Sequence, residues 1–309
     1  MSLVKLDYSF DAFDTGVLLT LCLDDDYQEE TQAWQVFSEI HALCKHYEQL
    51  FSRTISSSDI SLINKSKGQL VQVAAETARL IVSALSYCEK SKGLFDITAG
   101  CITSLWNFKQ GISPTPQELQ NAICHINWRQ VQVFSEENKW FTKLCDPHTS
   151  LDLGGIAKGW IADELGTYLQ KAGFSNYLIN LGGNVLAHGH NSQNKPWVIR
   201  IKNPVAFSEE EILISSDKVS VVTSGTYQRC FEKSGVLYHH ILNPRTGYPV
   251  KSDVISASIV CEKSLDAEGF STTALALGIN DGLFFCKAQP EIIAAFLIDR
   301  EGKIHSYQR

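Results

Sequence analysis

The stretch at residues 150–160, Ser-Leu-Asp-Leu-Gly-Gly-Ile-Ala-Lys-Gly-Trp, places the tightest constraint on how this chain can fold. An apolar run carrying one carboxylate, Asp152, leads into Gly154–Gly155, and a helical pattern continues to the stop signal Gly173. A strand that ends in a glycine turn and opens a helix points free backbone N–H groups at one spot, which suits a phosphate. Lys158 adds a positive charge there, although the spacing matches neither a Walker A loop nor GxGxxG. The alternative is a tight corner where a helix packs on a sheet.

Helical periodicity dominates the front of the chain, and strand patterns dominate the rest. Apolar residues recur at helical spacing over 28–51 and 74–90, and Thr115-Pro-Gln-Glu118 is a capping box that starts a helix ending near residue 125. Further helices are predicted at 157–172 and 267–277, and strands at 15–23, 130–135, 139–144, 149–153, 177–187, 196–202, 211–215, 219–223, 253–261 and 292–298. This order predicts an α+β (mixed α/β) fold with a composite β-sheet core, flanking helices and a helix-rich N-terminal part. We expect one domain over 1–309, or two intimately packed subdomains.

Charge and cysteine usage limit the partners and the compartment. The net charge of −7 argues against nucleic acid or an anionic membrane, and no apolar run approaches the roughly 20 residues that span a bilayer. The nine cysteines are scattered and form no CxxC pair, which indicates small core residues in a reducing compartment rather than disulfides or a zinc site. The start lacks the apolar core of a secretion signal, so we expect a cytoplasmic protein. A leader removed before this sequence begins would make it periplasmic.

Three features combine polar side chains with turn formers, and each leaves two interpretations open. A buried Asp152 needs a partner, which is either a structural salt bridge or helix cap, or a ligand. The strand that runs into Gly182–Gly183 ends in a plain turn or, with Gly154–Gly155, forms one of two walls of a pocket. His240 precedes a rigid Asn-Pro loop, and it is either a surface or core histidine, or a residue that transfers a proton or contacts a phosphate.

The helix predicted at 267–277 carries a possible metal site. Glu268 and Thr272 are four residues apart and therefore share one face. A carboxylate and a hydroxyl, completed by waters and a backbone carbonyl, form an oxygen-only set that suits Mg²⁺. The alternative is an ordinary acid favoured by the dipole at the start of a helix.

In this order, these stretches resemble the FAD:protein FMN transferases, the ApbE family of flavin transferases. The resemblance runs from Phe13 to about Gly278. It rests on eight segments in series, which are Asp14-Thr15, Ser58–Asn64, Phe95–Thr98, Asp152–Gly159, Asn180–Gly183, Thr223–Gly225 with Tyr227, His240–Gly247 and the helix with Ser271-Thr272.

The resemblance implies an enzyme that binds FAD and Mg²⁺, cleaves the pyrophosphate and attaches FMN through a phosphoester to a threonine of a target flavoprotein, releasing AMP. Residue by residue, it implies FAD contacts at Phe13, Thr54, Phe95, Asp96, Ile97, Asp152, Lys158 and Leu242, and metal contacts at the Gly155 carbonyl, Glu268, Ser271 and Thr272. Lys158 would neutralise phosphate charge, and His240 or Asp152 would be the base for the threonine hydroxyl. The acceptor pattern Asp-x-x-Ser/Thr-Gly-Ala-Thr is absent from this chain, so the target is another protein.

Several positions depart from the family pattern. Glu268 and Asn243 stand where the family usually has aspartate, as does Thr226, and Thr54 stands where an aromatic residue is common. These departures motivate an alternative function, which is FAD binding or storage, or FAD pyrophosphatase activity, without transfer to a protein.

Overall fold

The computed structural model describes residues 3–24, 26–205 and 211–309, and these contain fifteen strands and eight α-helices. The helices are α1 Tyr27–Phe51, α2 Asp59–Lys65, α3 Ala75–Lys90, α4 Gly100–Thr103, α5 Pro116–Ile123, α6 Ala157–Lys171, α7 Ser264–Leu277 and α8 Ile279–Lys287. The strands are β1 Val4–Ala12, β2 Thr15–Leu23, β3 Val71–Val73, β4 Val131–Glu136, β5 Lys139–Leu144, β6 Tyr177–Leu181, β7 Asn184–His188, β8 Trp197–Lys202, β9 Glu211–Ser216, β10 Lys218–Gly225, β11 Cys230–Lys233, β12 Val236–His239, β13 Val254–Cys261, β14 Ile292–Asp299 and β15 Ile304–Gln308.

An antiparallel eight-stranded sheet, in the order β1-β2-β6-β7-β10-β13-β14-β15, forms the centre of the fold. Val17 of β2 pairs with Leu181 of β6, and Asn184 of β7 pairs with Val222 of β10. This register brings the β1–β2 turn, the β6–β7 turn and the end of β10 to the same edge of the sheet. We call this edge, formed by residues 13–14, 182–183 and 224–225, the site edge.

The two faces of the sheet bury different clusters, as alternating side chains require. The larger cluster lies between the sheet and the helices and includes Phe37, Ile81, Ile161, Ile259 and Phe270. The smaller cluster lies under the β8–β9 hairpin and includes Trp197, Ile199, Val221, Val260 and Phe296. On the face of the sheet that buries the larger cluster, α7 packs against β10, β13 and α6. The starts of α6 and α7 therefore come close together.

The mixed α+β architecture predicted from the sequence is confirmed, but two predicted strands are wrong. Residues 149–153 form a loop, because the Asn64 side chain hydrogen-bonds to both backbone groups of Leu151. Asn64 Oδ1 accepts from the Leu151 N–H at 2.7 Å, and Asn64 Nδ2 donates to the Leu151 carbonyl at 3.0 Å. In addition, the Asp152 N–H donates to the Ile97 carbonyl at 2.8 Å. Residues 177–187 form two strands, since Gly182 and Gly183 have φ values of +63° and +96° and turn the chain back.

The prediction also omits β1, β3, β11, β12, β15, α4 and α8, and it starts α7 too late. The helix begins at Ser264 because the N–H groups of Ser264 and Leu265 donate to the Asp163 carboxylate on α6, at 2.8 and 2.9 Å. A cap supplied by another helix leaves no local signal in the sequence. In the described part of the chain, no helix is both long and apolar enough to cross a membrane.

Candidate functional site

Glu268 on α7 is the centre of the polar cluster beside the site edge. The residue is 4% exposed, and its Oε1 lies 2.6 Å from the Nζ atom of Lys158 at the start of α6. Its Oε2 accepts from the Gly159 N–H and, at 3.3 Å, from Nδ2 of Asn184, the first residue after the Gly182–Gly183 turn. Two sequence stretches far apart in the chain, the 150–160 segment and the late helix, therefore meet at one carboxylate.

A glycine allows α6 and α7 to approach this closely. A Cβ atom at Gly159 would lie 2.6 Å from the Ser264 carbonyl oxygen and 2.9 Å from the Leu265 Cα. One turn further along α6, Asp163 caps α7 as described above, and burial raises the pKa of Asp163 to about 6 against the opposing effect of the two N–H donors. Gly159 and Asp163 thus set the position of α7 along α6, and this position places Glu268 opposite Lys158.

Three hydroxyl groups lie together on the same side of α7. Ser224 Oγ, at the end of β10, is 2.8 Å from Ser271 Oγ and 3.2 Å from Thr272 Oγ1, and Ser271 also donates to the Glu268 carbonyl at 3.1 Å. Sequence reasoning did not select Ser224 as a site residue, although the Thr-Ser-Gly stretch at 223–225 was part of the family resemblance.

The donor set around Glu268 determines which cation these residues suit. Within residues 3–24, 26–205 and 211–309, no group of three or more His, Cys, Asp or Glu side chains could hold a metal ion. A cation here would rest on one carboxylate together with hydroxyl and carbonyl oxygens. Such an oxygen set, without soft ligands, fits Mg²⁺ and does not fit zinc.

Several backbone N–H groups of the glycine turn already donate hydrogen bonds within the protein. The N–H of Gly154 donates to Asp152 Oδ1 at 2.9 Å, and those of Ile156 and Ala157 donate to the Leu153 carbonyl at 3.0 and 2.9 Å. The Gly159 N–H is taken by Glu268. An anion would therefore meet fewer unpaired N–H groups at this turn than the glycine pattern predicts.

Asp152 has three donors around its carboxylate. Thr103 Oγ1 donates to Oδ2 at 2.7 Å, Arg53 Nη1 lies 3.5 Å from the same oxygen, and Gly154 occupies Oδ1. Arg53 also donates to Thr103 at 2.9 Å. The partners required for this carboxylate are therefore present within the protein, at Arg53 in the loop after α1 and at Thr103, the last residue of α4.

The residues predicted to contact FAD at 95–97 border the same turn. The Phe95 ring lies against Gly155, where a Cβ would be 3.2 Å from its Cε2 atom, and the Ile97 carbonyl holds Asp152 as described. Asp96 Oδ1 accepts from the N–H and the hydroxyl of Thr98, at 2.8 and 2.6 Å. Burial raises the pKa of Asp96, and these bonds oppose the rise.

Phe13 and Thr54 lie at the margin of this region. Phe13 sits in the β1–β2 turn at φ +57°, and its N–H donates to Glu48 Oε1 at 2.9 Å beside a cleft of about 560 Å³. Thr54 is exposed and follows Arg53, whose side chain reaches Asp152. Among the described residues, no hydrogen bond or ion pair joins Phe13 or Thr54 directly to Lys158 or Glu268.

His240 follows β12, and the positive charge of Lys158 influences its pKa. Burial lowers its pKa to about 4, and the positive charges of Arg229 and Lys158 act in the same direction. Its buried Nδ1 atom has no hydrogen-bond partner. Two residues on, Leu242 is buried with Ile102, Trp106 and Leu119, so the side chain of this predicted FAD contact is packed into the protein.

The depressed pKa of His240 predicts a pH dependence of folding. Between pH 6.5 and about pH 4 the unfolded chain binds more protons at this histidine than the folded chain, so the free energy of unfolding falls as the pH falls. We expect the His240→Gln variant to lose less stability over this range than the native chain, by about 2 kcal/mol. Urea unfolding near both ends of the range measures the difference, and equal losses in the two proteins would contradict the assignment.

Known proteins resemble this chain over most of its length. A sequence model of the ApbE family matches residues 13–297. A Treponema pallidum protein named FAD:protein FMN transferase is 32% identical over 298 residues, covering 91% of this chain and 82% of the relative. A Klebsiella pneumoniae protein of the same name is also 32% identical over 298 residues, covering 94% and 89%.

Solved structures show the same fold. The ApbE protein from Thermotoga maritima superposes with a TM-score of 0.84 at 28% identity, over 97% of this chain and 96% of that one. The flavin transferase ApbE from Vibrio cholerae superposes with a TM-score of 0.85 at 24% identity, over 99% and 97%, which bears on the fold alone. The family resemblance seen in the sequence is thereby confirmed, and this chain belongs to the ApbE family.

Proposed function

We propose that this chain is a Mg²⁺-dependent FAD:protein FMN transferase, which cleaves FAD, attaches FMN through a phosphoester to a threonine of a target flavoprotein and releases AMP. The observation that carries the proposal is the ion pair between Lys158, at the start of α6, and Glu268 on α7, beside the hydroxyls of Ser224, Ser271 and Thr272. The names of the relatives in Treponema pallidum and Klebsiella pneumoniae support the same activity.

Transfer from a pyrophosphate needs neutralised charge and aligned oxygens more than covalent help. Lys158 supplies a positive charge at the start of α6, where the helix dipole also favours an anion, and its side chain is 27% exposed and so within reach of a ligand. Asp152 is held by Arg53 and Thr103 and presents an ordered carboxylate to the same turn. Lys158 and the start of α6 would bind and orient the phosphates of FAD, whereas Asp152, as a carboxylate, would accept a hydrogen bond from a donor group of the ligand.

The cation would be held by Glu268, Ser271, Thr272 and the carbonyl of Gly155. The chemistry of this set fits Mg²⁺, and the contacts from Ser224 fix both hydroxyls. When bound, Mg²⁺ supplies charge stabilisation to the phosphate oxygens.

His240 is the better candidate for the base that accepts the proton of the threonine hydroxyl. Its Nδ1 has no partner and its low pKa keeps the imidazole neutral near pH 7, whereas the Asp152 oxygens already accept from three donors. The basicity of His240 would rise when the negative charge of the phosphates offsets Arg229 and Lys158.

The Asn243 departure is compatible with this function. Its Oδ1 accepts from the Arg245 N–H at 2.9 Å, and its carbonyl accepts from the N–H groups of Thr246 and Gly247 at 3.1 and 2.8 Å. Asn and Asp close such a turn in the same way. The shape of the loop after His240 therefore does not require aspartate.

One assay tests the proposal against its alternatives. The protein is mixed with FAD, Mg²⁺ and a synthetic peptide containing Asp-x-x-Thr-Gly-Ala-Thr, and the peptide mass and free AMP are measured. We expect the peptide to gain the mass of FMN in step with AMP release. AMP without labelled peptide would identify a FAD pyrophosphatase, and bound FAD with neither product would identify a FAD-binding or storage protein. Either result would refute protein transfer.

A further inference from the structure

The two oxygens of the Glu268 carboxylate are held in different ways. Oε2 accepts from the main-chain N–H of Gly159 and from Asn184, which is 1% exposed and whose own Oδ1 accepts from Ser264 Oγ at 2.5 Å. These donors belong to packed backbone or to a fixed amide. Oε1 is paired at 2.6 Å with Lys158, a flexible side chain that is 27% exposed. Oε1 is therefore the oxygen that can change its partner.

A buried carboxylate has to be neutralised at all times, because an unpaired buried charge is strongly unfavourable. Lys158 meets that requirement in the contact described here. A divalent cation on the same oxygen would meet it too, but an ammonium and a divalent cation a few ångströms apart in a buried site repel strongly. The two positive groups cannot both remain on Oε1.

We propose that Lys158 and the divalent cation compete for Oε1 of Glu268, so that cation binding breaks this ion pair and releases the ammonium to the phosphates of the substrate. The inference rests on the proposed function and gives Lys158 a second task, as the residue that couples cation binding to phosphate binding. The released group stays near the reaction, since Nζ is also 3.4 Å from the Gly154 carbonyl in the glycine turn.

The length of the Glu268 side chain makes this arrangement possible. The side chain of Glu268 spans the gap from α7 to the start of α6, where it meets both Lys158 and the Gly159 N–H. A carboxylate that reaches its lysine in this way offers a cation less affinity than a carboxylate with no such partner.

Mn²⁺ binding in the absence of FAD tests the competition directly. By calorimetry, we expect Lys158→Met to bind Mn²⁺ at least tenfold more tightly than the native chain, and Lys158→Arg, which keeps the charge, to stay close to the native affinity. Lys90→Met is the matched control, because Lys90 forms a similar 2.6 Å pair with Glu291 and neither residue belongs to the proposed cation site. Affinity in Lys158→Met that is equal to or weaker than that of the native chain would overturn the proposal.

A measurement on the native chain covers the case in which Lys158→Met fails to fold. A short pulse of an amine-acetylating reagent, read by peptide mass spectrometry, reports how free each lysine is. We expect Mg²⁺ to raise the acetylation of Lys158 several-fold while leaving Lys90 unchanged; unchanged or reduced acetylation of Lys158 would refute the exchange. Neither experiment uses FAD or an acceptor, so their failure is distinct from a failure of AMP release, which would refute the proposed function.

Discussion

Replacing Glu268 by glutamine is expected to lower AMP release from FAD by about three orders of magnitude while leaving much of the flavin affinity. The variant keeps an oxygen for the Gly159 N–H but loses the only charged oxygen ligand in the proposed cation site. A cation at developing phosphate charge supplies several kcal/mol, and each 1.4 kcal/mol or so corresponds to a factor of about ten in rate. Single-turnover AMP release and FAD binding by fluorescence, measured separately, give the two quantities.

Glu291→Gln is the matched control for this prediction. Glu291 pairs with Lys90 at 2.6 Å, as Glu268 pairs with Lys158, but it lies just before β14 and outside the candidate site. We expect it to retain native activity. Native turnover in Glu268→Gln would exclude the metal assignment, and an equal loss in Glu291→Gln would point to a general effect of removing the carboxylate of an ion pair.

Gly159→Ala is expected to cost about 3 kcal/mol of folding stability and to reduce flavin transfer at least a hundredfold. The added methyl group would lie 2.6 Å from the Ser264 carbonyl oxygen and 2.9 Å from the Leu265 Cα, and backbone atoms cannot rotate away as a side chain can. The helices α6 and α7 must separate, which also breaks the Gly159 N–H bond and shifts Glu268 from Lys158. Urea unfolding and the transfer assay measure the two effects.

Gly16→Ala provides the comparison for stability. Gly16 lies in β2, and a Cβ there would meet no atom within 4 Å, so we expect no loss and a slight gain from the less flexible unfolded chain. If Gly159→Ala unfolds at the same urea concentration as the native chain, the close approach of α6 and α7 does not depend on glycine.

Local sequence patterns predicted much of the fold. The capping box at Thr115 is present with both of its bonds. The elements α1, α3 and β2 lie close to their predicted ranges, because the periodicity that predicts each of them is local in the sequence. The strand predicted at 149–153 failed for the opposite reason. Its apolar pattern is real, but the Asn64 side chain, from a helix far earlier in the chain, takes the backbone bonds that a neighbouring strand would have taken.

For the candidate site, too, the sequence indicated some of the residues, and only the fold brought in the others. The sequence pointed to Lys158, Glu268 and the hydroxyl pair at 271–272 as separate motifs, each with a structural alternative. Ser224, Asn184 and Arg53 acquire their contacts only in the folded chain, on the end of β10, the start of β7 and the loop after α1. The sequence contains no spacing that relates these residues to the motifs they support.

The sequence by itself determined the type of this protein: an α+β chain of the ApbE family, with a glycine turn, a histidine loop and an acid-bearing late helix. Only the tertiary structure decided which of those groups are partners. Antiparallel register brings residues 13–14, 182–183 and 224–225 to one sheet edge, and the close packing of α6 on α7 sets Lys158 against Glu268. The physical reason is that periodicity and capping act over a few residues, whereas the neutralisation of a buried carboxylate depends on whichever distant element the packing brings to it.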